Sequence, residues 1–149
     1  MAETLGMLCD KLTIVKLKQF HTDDTTRLDS LNKQAQDLQQ EIDMYLLDAV
    51  NGNIPENKLT FEANKVFKKE GNDIKEVSGN IAEVFYQLAD VNCRLWHEQE
   101  KVYEFESVPA TEKNIVVKKL ALLNLERNKC IDSINMQLAE LVKQKNKGI

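Results

Sequence analysis

Apolar residues along this chain recur in steps of three and four, and that spacing predicts helices over most of its length. The cleanest run lies over residues 26–50, where Leu28, Leu31, Ala35, Leu38, Ile42, Tyr45 and Ala49 form one seam. Heptad steps of this kind predict bundle packing at crossing angles near about +20°. Upstream, a helix over residues 3–20 carries two stripes. Leu5, Leu8, Leu12 and Val15 share one side, while Met7, Ile14 and Leu17 lie on nearly the opposite one. A helix apolar on two sides is either sandwiched inside the fold or shared with another subunit. Thr22-Asp23-Asp24-Thr25-Thr26 supplies turn and N-cap chemistry between the two helices. Asn51-Gly52-Asn53 and then Ile54-Pro55 stop the second.

Residues 57–69 form a weaker helical piece with Leu59, Phe61, Val66 and Phe67. Gly71-Asn72-Asp73 reads as a stop followed by an N-cap, or as a kink in a continuous helix. The third major helix is expected over residues 73–106, with a stripe that includes Ile74, Val84, Leu88, Val91, Leu95 and Val102. Ser107-Val108-Pro109-Ala110 breaks it, and Thr111 is placed to cap a fourth helix reaching residue 145. The short break makes helices three and four antiparallel neighbours, each about 50 Å long at about 1.5 Å per residue. The expected fold is therefore all-α: an elongated antiparallel helical bundle of four main helices with a short extra helix in the middle. Its 149 residues are expected to form one domain, 1–149.

Composition agrees with that picture and narrows the function classes. Five glycines, two prolines, 30% charged residues and 6% aromatics suit a helical bundle better than a sheet protein. A net charge of −4 with interspersed signs argues against nucleic acid as a partner, since phosphate contacts call for a basic face. Met1-Ala2-Glu3-Thr4 lacks the basic start and apolar run of a secretion signal. No apolar stretch approaches the ~20 residues needed to cross a bilayer. Cys9, Cys93 and Cys130, an odd number set far apart, read as small hydrophobes of a reducing compartment. A cytoplasmic chain without membrane insertion is expected.

The polar residues that interrupt the apolar seams are the candidates for function. In the fourth helix the stripe runs through Val116, Leu120, Leu123, Ile131, Ile134, Leu138 and Leu141, with Arg127 near its middle and Asn124 and Asn135 on its edge. Asn128 follows Arg127 directly. Counting back from the break at Pro109 sets Arg127 level with Asn92, and Asn124 level with Leu95 and Trp96. Asn92 and Gln99 also point along the apolar face of helix three, which predicts a polar ladder in an oily seam. A guanidinium aimed inward needs a matching acceptor. The candidates are Asp10, on the second stripe of helix one, or a bound anion with a planar carboxylate or phosphate. Trp96 is expected to anchor the core with its N–H on the ladder, and His21 to act as a C-terminal cation or packed ring. His97, Glu100 and Glu104 share a face that points away from the core. Absence of paired Cys or His spacing and of a Glu-x-x-His argues against a metal site, and no phosphate loop or nucleophile elbow is present. No cofactor, metal or catalytic residue is expected.

Three blocks resemble one family of short, all-helical bacterial proteins. Asp10-Lys11-Leu12-Thr13-Ile14 with Leu17-Lys18-Gln19-Phe20-His21 is similar to its opening DKLxIxxLKxxH pattern. Asn92-Cys93-Arg94-Leu95-Trp96-His97-Glu98-Gln99-Glu100 resembles its NxxLWHEED segment, and Leu123-Asn124-Leu125-Glu126-Arg127-Asn128, followed by Ile131-Asp132, its closing LNxxRNxxIxxID segment. Members are commonly encoded among glycosyltransferase and surface-polysaccharide genes, so the resemblance implies a bacterial glycan-assembly setting. It implies no particular reaction. Gln99 stands where the family tends to carry a carboxylate, and an amide does not titrate, which leans against catalysis. Two readings follow. One is a non-enzymatic interaction protein that self-associates or binds a partner protein through helix one. The other is an all-α enzyme or anion binder with an Arg/Asn/Gln-lined pocket.

Overall fold

A computed structural model describes residues 3–61 and 76–147. The fold is all-α, with four helices and no strand among the described residues. Helix α1 spans Leu5–His21, α2 Thr25–Val50, α3 Ile81–Tyr103 and α4 Ala110–Asn146. Buried Thr4 caps α1, its hydroxyl accepting from the Met7 N–H. Asp24 caps α2 by accepting from the N–H groups of Thr26 and Arg27 at 2.9 and 3.2 Å.

Helix α3 begins later than its apolar spacing predicts. Gly79 adopts φ +110°, a conformation that L side chains rarely take, and the Asn80 side chain accepts from the Glu83 N–H at 3.2 Å. That pair fixes the start at Ile81, and residues 76–80 are not helical. The helix is therefore about 35 Å long at about 1.5 Å per residue, shorter than expected. The weaker helix expected over 57–69 is a 3-10 turn at Glu56–Lys58, after which Leu59 is buried and residues 60–61 are non-helical. The rest of that piece, and the break at Gly71-Asn72-Asp73, lie outside the described residues. Helix α4 starts one residue ahead of Thr111, with Pro109 at its N-cap position and no side-chain cap.

Cross-helix bonds fix the directions. Gly6 and Asp10 of α1 meet Asn135 and Arg127 of α4, so those two helices are antiparallel. Arg94 meets Glu126 and Glu98 meets Lys119, which makes α3 and α4 antiparallel in the expected register. Helix α1 packs against all three others. Of its second stripe, partly buried Met7 joins a core built on Leu5, Leu88, Cys130, Ile134 and Leu138. Each fully buried aliphatic side chain here contributes about 1.5–3 kcal/mol. Close approach at one point needs glycine: a Cβ on Gly6 would lie 2.4 Å from the Ile131 carbonyl oxygen.

Toward its C-terminal end, α1 lies on α3, where His21 stacks on Trp96. On the last turns of α4 the contact line drifts, so Val142 is buried and Leu141 is exposed. No helix among the described residues is long and apolar enough to cross a membrane.

Candidate functional site

The interior cluster is built on Asp10. Arg127 donates from Nε to Oδ1 at 2.9 Å and from Nη2 to Oδ2 at 2.5 Å, a two-pronged contact matched to the planar guanidinium. Asn92 donates from Nδ2 to the same Oδ1 at 2.9 Å and to the Thr13 hydroxyl at 2.7 Å. Thr13 in turn donates to the Asp10 carbonyl at 2.7 Å. Hydrogen bonding to Asp10 holds the Arg127 guanidinium above its usual range, against the opposing effect of burial. The Asp10 side chain is 5% exposed and that of Arg127 30%, so the carboxylate is the sealed member.

Asn135 is buried too, but it serves a different contact. Its Oδ1 accepts from the Gly6 N–H at 2.7 Å, satisfying a first-turn donor that no helical carbonyl can reach. Asn128 is half-buried. Gln99 and Asn124, expected in the ladder, are exposed. The arc of α3 and α4 that carries Asn92 and Asn135 is covered by α1, and α1 ends at His21 beside Trp96. Gln99 lies about one turn beyond that end on α3, so the same wheel position faces water there, while Asn124 is exposed at the level of Trp96 itself. Trp96 is half-buried and stacks on His21, ring centroids 4.6 Å apart, instead of entering the ladder. The His21 ring also hydrogen-bonds the Leu17 carbonyl from Nδ1 at 2.7 Å. Lys11 pairs with Glu3 at the surface. His97, Glu100 and Glu104 are exposed.

Two buried carboxylates escaped the sequence reading. Glu126 accepts from Arg94 Nη2 at 2.8 Å. Glu98 meets Lys119 at 2.9 Å and Lys101 at 3.2 Å through Oε1, while Oε2 has no hydrogen-bond partner among the described residues. Burial pushes the Glu98 carboxyl up, but hydrogen bonds from Lys119 and Lys101 outweigh it and hold it below its usual range. The available signal was the facing Lys119, level with Glu98 across the hairpin.

The accessible feature is a trough along α1. At one end it is a cavity of about 510 Å³ between α1 and α3, walled by Leu17, Phe20, Ala89, Cys93 and Trp96. At the other, a cavity of about 580 Å³ adds Ala35 and Gln39 of α2 and Phe85 of α3. Thr13 and Lys16 line both, so the two cavities adjoin along α1. Phe20 is 82% exposed at its rim. Across the His21–Trp96 stack lies a more polar cavity of about 440 Å³ with Lys18 and Arg27 in its wall. Compared with protein-family models, with curated proteins and with solved structures, the chain matches none.

Proposed function

We propose that this chain is a non-enzymatic helical interaction protein, an accessory component whose partner docks along α1, in the bacterial glycan-assembly setting that its sequence resemblance implies. The observation that carries the reading is the trough between α1, α2 and α3, with the Phe20 ring held in water at its rim. An exposed aromatic beside an apolar trough is the kind of surface that partners cover. The interior cluster supports the same choice. Asp10 already fills the Arg127 fork, so the cation needs no anion from outside the chain.

Photo-crosslinking in living bacteria tests this. A benzophenone amino acid replaces Phe20 in one strain and Asp37, exposed on α2, in another. A discrete adduct formed from position 20 and absent from position 37 is the expected result, whether to a second copy of the chain or to another protein. Identical patterns from both positions, or none from either, overturn it.

A further inference from the structure

Resting on that docking reading, we infer that the occupant of the trough is an acidic amphipathic helix, about three turns long, from a partner protein. The trough is helix-shaped. Its α3 wall presents Phe85, Ala89, Cys93, Trp96 and Glu100, in steps of four and three. That is the spacing of a packing seam, and it lies on a different face from the seam α3 uses against α4. Along α3, Phe85 to His97 spans about 18 Å, enough for about three helical turns of a docked segment. The small residues Ala89 and Cys93 sit between the large Phe85 and Trp96, forming a hole that a leucine-sized knob fills.

Charge selects the sign of the partner. The chain carries a net −4, yet the trough departs from that balance. Lys16 stands at its centre, and Glu100, at the Trp96 end, is the single carboxylate in its two cavities. Lys18 and Arg27 add two cations past the ring stack, in a wall that holds no carboxylate, so three cations face one carboxylate across the three cavities. A helix with an apolar stripe and flanking Glu or Asp meets both features. A basic helix would set its cations against Lys16.

The full-length chain and two synthetic sixteen-residue helical peptides test the inference. Both peptides carry the same leucine stripe, and one is flanked by Glu, the other by Lys. Cys93 is the reporter, because it is exposed on the groove wall while Cys9 and Cys130 are buried. The acidic peptide is expected to slow Cys93 modification by a thiol reagent roughly fivefold or more, since a covered thiolate cannot be attacked. It is also expected to bind about tenfold tighter than the basic one, a preference that Lys16→Glu removes and added salt weakens. Cys93→Trp, filling the hole from an exposed position, should abolish peptide binding as read by anisotropy.

Equal or tighter binding of the basic peptide overturns the acidic-helix inference and leaves the docking reading standing. So does a failure of both peptides while position 20 crosslinks to a second copy of the chain. Failure of both peptides together with no crosslink from position 20 overturns both.

Discussion

Replacing either member of the Asp10–Arg127 pair should cost stability by different amounts, and the structure gives the order. In Arg127→Met the carboxylate stays sealed at 5% exposure and keeps only the Asn92 donor and the Asp10 neighbourhood's own polar contacts. An uncompensated buried charge costs about 3–5 kcal/mol. In Asp10→Leu the stranded group is the guanidinium, which is 30% exposed and can turn partly into water. Solvent screening there lowers the expected cost to about 2–3 kcal/mol. The double variant replaces a paired interior contact by an apolar one of similar bulk, and such swaps are often neutral or stabilising. Urea unfolding followed by far-UV circular dichroism, with a constant m-value, measures all four corners of the cycle. With a neutral double variant those single costs imply a coupling of about 5–8 kcal/mol, with Arg127→Met the worse single change. The reasoning fails if each single change costs under about 0.5 kcal/mol and the two simply add. It also fails if Asp10→Leu is the more damaging.

Three further outcomes are open to measurement. Gly6→Ala should destabilise by about 1–3 kcal/mol or more, because the new Cβ would press on the Ile131 carbonyl and the Asn135 amide oxygen; thermal unfolding reads it. Under native conditions at pH 8 a thiol reagent should add once per chain, at Cys93, and three times in denaturant, as counted by intact mass. Burial pushes the Cys9 and Cys130 thiols up to about 11, so neither supplies thiolate in the folded state. Glu98 is held below its ordinary 4.5 in the folded chain, so the stability it contributes is present above that pH and is lost on acidification. Glu98→Gln should therefore be destabilised at pH 7, with a deficit that shrinks as pH falls below 4.5.

How much of this was legible depended on whether one helix or two neighbours decided a residue's environment. Period together with local caps such as Asp24 and stops such as Asn51-Gly52 fits α1, α2 and α4, whereas period alone starts α3 too early and extends a helix past Lys58. Counting from Pro109 gave the α3–α4 register, because the hairpin is short and its partners lie level. Gln99 is exposed for a non-local reason: its face is buried only where α1 reaches, and a helical wheel does not know where a third helix ends. Gly79-Asn80 was a readable start signal for α3, overlooked because the apolar phase continues upstream through Val77. The trough was illegible. Phe20, Ala89 and Cys93 acquire meaning only when α1 and α3 are set side by side.

The polar cluster and the trough are consequently one construction. Asn92 reaches from α3 to α1, donating both to Asp10 and to Thr13, and Thr13 is itself part of the trough floor. Arg127 brings α4 to the same carboxylate. A slip of α1 by one turn would move Lys16 and Phe20 by about 5.4 Å relative to Trp96 and would break every one of these bonds at once. Leucines tolerate such slips; a carboxylate with three donors does not. Asn92→Leu should thus cost about 1–3 kcal/mol for the lost donor, and it should also loosen the trough. Peptide affinity and Cys93 reactivity then change together, in a variant whose substituted side chain is buried beside the trough. An Asn92→Leu chain that is destabilised but binds and reacts at Cys93 as the parent does would separate cluster from trough and refute the link.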